Sequence, residues 1–457
     1  MSTGIFQRAA APFKTLGAGP TQFLWFIVFN VLSWQFLIGP VLVLHARALV
    51  INTAWVGTLS ALLPFAMMLS LAMKSPAQRL GSKRLLVSGW TLRNLLVTPV
   101  ILTPLAYRLW GTAGAGVLLF AGVSLFCLMR ALTGIGWASW LHEIVGESHR
   151  GLYYTMESVL SRGVSIIYGV AVYVLLAGHP ALWKFSVTSA VGVAMGLVSI
   201  VFLRRVPGGA PVPDAAQAQR SSRDEYRQVL TAAHFRPFLG WMSAGAFVGA
   251  GQSLLLTLYM REYLAITPGL IMLVSGIANG VTMFTVHRWA RIADKHGSPV
   301  AMAAAGALLA GCLLLLGAVK PWRFGLACIM LLAALVAIAE SGFFVAGARG
   351  LLHRIDPAFR HAYVAVWTAC TSFAAGVSFV MVGIIVRNGS HRVYFWTAVA
   401  YGLLMAVVSV AMLRLPERGV NRDDNELDLY DPAQPLLSIL RICGYVLNPR
   451  PNQAQRQ

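Results

Sequence analysis

The feature that most constrains the fold of this chain is a series of twelve long apolar runs. A helix needs about 20 consecutive apolar residues to cross the hydrocarbon core of a bilayer. Because backbone groups in lipid must satisfy their own hydrogen bonds, runs of this length predict membrane-spanning helices. The runs cover residues 23–44, 50–73, 85–106, 113–138, 153–176, 185–203, 238–259, 270–289, 300–319, 324–346, 362–386 and 393–413.

Composition and charge support a polytopic membrane protein. The 457 residues are 57% hydrophobic and carry a formal net charge of +20. Of the 36 Lys and Arg residues, 25 fall in segments on one predicted side of the membrane and 8 on the other. The positive-inside rule then predicts that both termini are cytoplasmic and that the membrane is the inner or plasma membrane. The basic residues are scattered among short loops, which favours contacts with lipid headgroups over nucleic-acid binding.

The runs divide the chain into four predicted regions. Residues 1–203 and 237–415 each hold six runs, 204–236 form a polar cytoplasmic linker, and 416–457 form a cytoplasmic tail. Asp224 and Glu225 follow Ser222 in the linker, a pattern that favours a short surface helix. The apolar and basic segment PLLSILRICGYVL in the tail is too short to span and is predicted to lie on the membrane surface as an amphipathic helix. A partner-docking role for it is the alternative.

The cysteines and histidines give no sign of a metal site or of catalysis. The five cysteines are odd in number and form no CxxC pair, and the ten histidines show no metal-ligand spacing. The sequence has no phosphate-binding GxxxxGK[ST] motif and no recognisable Ser/His/Asp set. We therefore expect a protein that is not an enzyme and that needs no cofactor or metal.

Two polar turns repeat, one after the second apolar run and one after the eighth. Glycine permits a tight turn there, the basic residue faces inner-leaflet phosphates, and an acid can cap a helix or pair with an arginine. Such a repeat between corresponding runs indicates two related halves. The matching pairs are Gln78 with Asp294, Arg79 with Lys295, Gly81 with Gly297 and Ser82 with Ser298.

These turns resemble the G-x-x-x-D-R-x-G-R-R signature of the major facilitator superfamily. The first copy departs from it, with Lys74 for the usual Gly and Gln78 for the usual Asp, whereas the second keeps Asp294. The stretch from Arg130 through Gly134 to Gly136 is similar to the fourth-helix motif of the same family. The resemblance covers residues 23–413. It implies an all-α membrane protein of twelve transmembrane helices in two pseudo-symmetric six-helix bundles, which alternate access to a central cavity.

Arg130 and Glu340 are the candidate centre of function. Arg130 lies deep in the fourth run, and Glu340 is the deeper of two acids well inside any run. Buried charges in membrane helices are costly and mark functional sites or structural ion pairs. Arg130 is interpreted as an anion-binding or proton-controlling residue, Glu340 as the carboxyl that loads and releases a proton, and the two as a coupling pair. A fixed structural pair is the alternative.

Other polar residues complete the predicted site. Asn30, Trp34 and Gln35 in the first run and Gln252 in the seventh could hydrogen-bond or stack on a solute. Hydrogen bonding between helices explains them equally well. Arg93, in the third run, is interpreted as a packing or snorkelling residue.

A duplicated hinge predicts an inner gate. Glu147 and Arg150 after the fourth run are matched by Asp356 and Arg360 after the tenth. Glu157, near the same end of the fifth run, is expected to join the first hinge in a salt-bridge cluster.

The resulting prediction is a secondary transporter of a small polar or anionic solute, which uses no cofactor and is coupled to protons through Glu340. A monomer is expected. The alternatives are an exporter of lipophilic drugs, which the aromatic and Met-rich helices also favour, and a non-transporting assembly or signalling protein that acts through its tail.

Overall fold

The computed structural model describes residues 16–72, 80–134, 136–146, 149–211, 222–316, 319, 325–356, 359–415 and 434–447. These residues are helical and contain no strand. The α-helices are α1 (Ala18–Leu37), α2 (Pro40–Ala48), α3 (Thr53–Met67), α4 (Ser82–Leu96), α5 (Thr103–Gly134), α6 (Gly136–Ile144), α7 (Arg150–Leu175), α8 (Leu182–Arg205), α9 (Ser222–Thr231), α10 (Arg236–Leu258), α11 (Pro268–His296), α12 (Ser298–Leu316), α13 (Gly325–Leu352), α14 (Arg360–Ile385), α15 (His391–Met412) and α16 (Pro435–Leu447). Short 3-10 or π segments are Met68–Ala72, Thr98–Leu102, Tyr259–Tyr263 and Val386–Asn388.

Ten helical stretches among the described residues are long and apolar enough to cross a membrane. One of them, Ser82–Gly134, is 53 residues long and contains Gly111 at a φ of 64°, where the chain turns. Two predicted runs lie on either side of this glycine. A shorter apolar helix, α3, covers most of the second run. The all-α membrane fold is therefore confirmed, and the helices are consistent with twelve spans.

The chain forms two compact units. The first comprises the described residues up to Arg223 together with Thr267–Gly276, and the second comprises Asp224–Ile266 and the described residues from Ile277 onward. In the first unit, α1 packs along α8 and α7, and α5 packs against α3 and α4. An aromatic core stabilises one end of this unit. Its fully or almost fully buried rings are Phe23, Phe26, Trp90, Trp140 and Tyr153.

In the second unit, α12 packs against α13 and α15, while α10 packs against α14 and α15. Glycines permit the close approach of α10 to its neighbours, and Gly245 is an example. A Cβ at Gly245 would lie 2.3 Å from the ring of Phe343 on α13. A bulkier residue would therefore force these two helices apart.

The two short helices predicted outside the spans are present. The linker helix α9 carries Asp224 and Glu225 in its first turn, as the sequence pattern predicts. The tail helix α16 packs on α12. Ile442 and Val446 are fully buried there, and the Arg288 guanidinium donates a hydrogen bond to the carbonyl of Val446. One face of the tail helix is therefore buried against its own unit.

A charge on the buried face of α16 is expected to undock this helix. Ile442→Asp should cost about 2 kcal/mol or more because it places a carboxylate in an apolar contact, whereas Leu440→Asp, at a side chain that is 67% exposed, should cost little. Cys443 reports the docking: burial raises the pKa of its thiol to about 11, so maleimide labelling at neutral pH should be slow.

The measurement is the rate of Cys443 labelling together with the thermal unfolding of the purified variants. Labelling should accelerate in Ile442→Asp and stay slow in Leu440→Asp. Equal labelling rates in the two variants would show that α16 is not held on α12.

Candidate functional site

In the second unit, the half-buried carboxyl of Glu340 is hydrogen-bonded to an amide side chain. Glu340 on α13 accepts a hydrogen bond from Nε2 of Gln252 on α10, with 2.6 Å between Nε2 and Oε1. Gln252 is 2% exposed, and its own Oε1 is buried without a hydrogen-bond partner. A Cβ at Gly249, one helical turn before Gln252, would lie 3.3 Å from the same Glu340 oxygen. The glycine therefore leaves α10 open where the carboxyl approaches it.

Glu340 has no cationic partner within its own unit, as far as the described residues extend. An amide can hydrogen-bond a carboxyl in either protonation state, because it offers both a donor and an acceptor. A Lys or Arg partner would instead hold the carboxylate ionised. The local geometry is therefore compatible with a carboxyl that gains and loses a proton.

In the first unit, the guanidinium groups of Arg93 and Arg130 lie against aromatic rings. Arg93 on α4 is fully buried, and its guanidinium carbon lies 4.9 Å from the ring centre of Trp90 and 4.6 Å from that of Phe126. Arg130 on α5 lies over Trp34 at 5.4 Å. The two guanidinium groups are close enough for their charges to repel. The aromatic faces offset part of the cost of burying these cations.

Asn30 connects α1 to this cluster. Its Oδ1 accepts hydrogen bonds from Trp90 Nε1 at 2.8 Å and from Arg93 Nη2 at 2.9 Å. Asn30 and Trp34, one helical turn apart, therefore lie on the face that α1 turns toward the arginines. The contacts of Asn30 are interhelical, one of the two readings that the sequence allowed.

The buried position of Arg93 agrees with packing, one of the two interpretations that the sequence allowed, and disagrees with snorkelling. A snorkelling arginine keeps its charged group in water, yet the Arg93 side chain has no exposed surface. The helix α4 turns Arg93 toward α1 and α5, which residue spacing alone does not reveal. Arg93 is thus a candidate functional residue that the sequence pattern did not identify as one.

Gln35 lies outside this cluster. Its Nε2 donates to Ser165 Oγ on α7 at 2.6 Å, and Tyr168 donates to its backbone carbonyl at 2.7 Å. These contacts join α1 to α7. Gln35 is therefore an interhelical residue in this structure, and any contact with solute stays a prediction.

The predicted gate is described only in part. Glu147, Arg79 and the side chain of Arg150 lie outside the described residues. Glu157 is half-buried, and its Oε2 has no hydrogen-bond partner. Arg360 is exposed at the start of α14. The salt-bridge cluster of the gate therefore stays a prediction.

The first repeated turn holds the beginning of the linker. Gly81 has a φ of 78°, and the backbone N–H of Lys83 donates to the carbonyl of Gly209 at 3.1 Å. Trp140 Nε1 donates to the Pro207 carbonyl at 2.8 Å. The carboxylate of Glu143 accepts from the Gly209 N–H at 3.0 and 3.1 Å. The start of the linker is thus bound to the first unit.

The second repeated turn is held by an ion pair. Gly297 has a φ of 91°, as a glycine turn requires. Asp294 at the end of α11 pairs with Arg349 at the end of α13, with 2.8 Å between Oδ1 and Nε. Arg349 also donates to Ser298 Oγ at 3.0 Å. The neighbouring Lys295 is half-buried, and its Nζ has no hydrogen-bond partner. Arg349 therefore helps to hold this turn in place, a role that the repeat in the sequence did not reveal.

No group of three His, Cys, Asp or Glu side chains with the geometry of a metal site occurs among the described residues. Among the residues predicted for the solute site, the structure brings Glu340 together with Gln252, and Arg130 with Trp34 beside Arg93. Each group belongs to one unit.

Comparison with known protein families gives a match to the Major Facilitator Superfamily over residues 242–443. Among curated protein sequences, none matches this chain.

Solved structures share the fold at low sequence identity. A mutant of the nucleoside transporter NupG is 11% identical, with a TM-score of 0.67 over 86% of this chain and 100% of that one. A D-xylose–proton symporter is 14% identical, with a TM-score of 0.66 over 88% of this chain and 99% of that one. A POT family transporter in complex with 5-aminolevulinic acid is 12% identical, with a TM-score of 0.64 over 88% and 95%. All three are transporters with which this chain shares its fold.

Proposed function

Because residues 242–443 match the Major Facilitator Superfamily and the fold is that of solved transporters, we propose that the chain is a proton-coupled secondary transporter that moves a small solute by alternating access. We further propose that it lies in the inner or plasma membrane with both termini in the cytoplasm, as the distribution of Lys and Arg favours. A solved relative in fold is a proton symporter, which is compatible with this mechanism. The solute is a small polar or anionic molecule, and the protein works as a monomer among membrane lipids.

The observation that carries the proton coupling is the Glu340–Gln252 pair. In the ionised state, Glu340 accepts the hydrogen bond from Gln252 Nε2. In the protonated state, its O–H can donate to Gln252 Oε1 once the amide rotates by half a turn. That oxygen is buried and otherwise unpartnered. Gln252 therefore supplies a complementary partner for both states, so that neither leaves the carboxyl unsatisfied.

Protonation of Glu340 also changes the local charge from negative to neutral. In a low-dielectric site this change alters the energy of nearby polar groups strongly, and it gives the conformational cycle a way to depend on the proton. The pairing of Arg130 with Glu340 that the sequence predicts stays a prediction. Within their own units, Arg130 lies against Trp34 and Glu340 against Gln252.

Infrared difference spectra of the purified protein between alkaline and acidic buffer test whether Glu340 binds a proton. A carboxylic C=O stretching band should appear at acidic pH and should be missing in Glu340→Gln. Glu157→Gln is the matched control, because Glu157 is the other acid well inside an apolar run, and it should retain the Glu340 band. The proposal fails if Glu340→Gln shows the full set of carboxylic bands of the unmodified protein.

A further inference from the structure

Arg93 and Arg130 lie together in the interior of the first unit. Arg93 is fully buried, Arg130 is half-buried, and the two charges repel each other. Among the described residues, no carboxylate forms an ion pair with either one. Buried arginines in membrane helices normally pair with an acid or face a functional cavity. Within the part of the first unit that the structure describes, the contacts that hold them are therefore aromatic rings and amide hydrogen bonds.

The cluster has an excess of hydrogen-bond donors. Nε and Nη1 of Arg93, Nδ2 of Asn94 and Nη1 of Arg130 are buried and have no hydrogen-bond partner. All four atoms carry N–H groups and none is an acceptor. Unpartnered N–H groups are costly in a low-dielectric interior, and a cluster of them on two cations matches the chemistry of a bound anion.

The protein acceptors in the cluster are already used. Asn30 Oδ1 receives two hydrogen bonds, from Trp90 and Arg93. Asn94 Oδ1 receives one from Arg93 Nη2 at 3.2 Å and one from Ser33 at 3.4 Å. Those bonds fix Arg93 through one nitrogen and leave its other two nitrogens unbonded. The arrangement orients the guanidinium group without neutralising it.

The aromatic rings restrict how an anion reaches the arginines. Trp90 and Phe126 cover Arg93, whereas Trp34, the ring over Arg130, is half-buried. The partly exposed side of the cluster is therefore the side of Arg130 and Trp34. A solute entering there would meet Arg130 first.

We propose that Arg93, Arg130 and Asn94 form an oxyanion subsite that binds a carboxylate or phosphate group of the transported solute. The two guanidinium groups supply charge and directed N–H donors, which oxyanions accept through several lone pairs. Recognition of this group as part of a transported solute rests on the proposed function. Binding of the oxyanion itself does not, so binding and transport can fail separately.

The test is the thermal unfolding of the purified full-length protein during titration with two probes, inorganic phosphate and benzoate, with sodium chloride holding the ionic strength constant. At least one probe should raise the unfolding temperature in a saturable manner, since a ligand of the folded state stabilises it. Arg130→Gln and Arg93→Gln should each weaken the apparent affinity by about ten- to a hundredfold. Arg162→Gln is the matched control, because Arg162 lies in a span of the same unit and hydrogen-bonds Ser158 instead, and it should leave the affinity unchanged.

The two probes separate the sources of the oxyanion. A response to phosphate alone assigns the subsite to phosphate groups, a response to benzoate alone assigns it to carboxylates, and a response to both assigns it to either group. If a Gln variant does not fold, Arg130→Lys keeps the charge but loses the planar donor array, and it should still weaken binding. The proposal is overturned if neither probe stabilises the protein, or if the arginine variants respond as Arg162→Gln does.

Binding and transport assays on the same purified protein separate this inference from the proposed function. Stabilisation by the probe without any transport would leave the subsite standing and refute the transporter. Proton-coupled transport by a protein that binds neither phosphate nor benzoate would support the transporter and refute the subsite.

Discussion

Glu340→Gln is expected to abolish the accumulation of solute that a pH gradient drives, while exchange of solute across the membrane continues. The glutamine side chain is nearly isosteric and can still hydrogen-bond Gln252, so the packing of α10 against α13 should survive. It cannot bind a proton, and the transport cycle then moves solute alone. Exchange needs no net proton movement and should be retained.

The size of the effect follows from the energy in the gradient. One pH unit is worth about 1.4 kcal/mol per proton, which is a tenfold accumulation of an uncharged solute for one proton transported with it. An uncoupled carrier can only equalise the two concentrations. The accumulation ratio in Glu340→Gln should therefore not respond to the imposed pH gradient.

The measurement uses proteoliposomes and a solute identified by its stabilisation of the purified protein against heat. Uptake under a pH gradient and counterflow exchange are compared for the unmodified protein, Glu340→Gln and Glu157→Gln. The Glu157 control should accumulate solute normally. Glu340→Gln that transports with unchanged rate and pH dependence would remove Glu340 from the coupling mechanism.

The parts of the fold that sequence predicts well are those that the bilayer dictates. An apolar run that must satisfy its own backbone hydrogen bonds has few options besides a helix, so the spans follow from composition. The turn glycines were also predictable, because Gly81 and Gly297 both have the positive φ that tight turns reserve for glycine. These are local properties of the chain.

What sequence missed depends on contacts between distant residues. For Arg93 the sequence left packing and snorkelling open, because spacing along a run gives the depth of a residue but not the direction of its side chain. Packing of α4 against α5 and α8, together with the hydrogen bond to Asn30 of α1, buries it completely. Arg349 was overlooked because its partner Asp294 is 55 residues earlier, at the end of another helix.

The linker is another case in which the local sequence does not predict contacts with distant residues. Residues 207–211 are rich in proline and glycine and were predicted only as part of a polar linker, yet they are hydrogen-bonded to Lys83, Trp140 and Glu143. Composition describes what a free chain would do. It carries no information about donors and acceptors that the fold brings within reach from more than 60 residues away.

Gly81→Ala is expected to release the start of the linker from the first unit. Gly81 has φ and ψ of 78° and 143°, a region that is essentially restricted to glycine. A Cβ there would lie 2.8 Å from the Gly209 carbonyl oxygen and 2.8 Å from the Pro211 nitrogen. These are backbone atoms, which cannot rotate away as the end of a side chain can. The linker must move, and the hydrogen bonds that hold it would be lost.

Gly39→Ala is the matched control, because it separates backbone strain from the collision. Gly39 has a comparable φ of 84°, but a Cβ there would meet nothing within 4 Å. Both substitutions should carry a strain cost of about 1–3 kcal/mol. Only Gly81→Ala adds the collision and the loss of the contacts with Gly209, each hydrogen bond contributing about 1 kcal/mol.

Two measurements distinguish the variants. Thermal unfolding should show a larger loss of stability for Gly81→Ala than for Gly39→Ala, and limited trypsin digestion should cut faster within residues 204–236 only in Gly81→Ala. Because the strain is matched, the difference between the two reports the docking of the linker itself. If both variants lose equal stability and are cleaved at equal rates, the glycine of this repeated turn serves the turn alone, and the linker contacts add nothing measurable to the first unit.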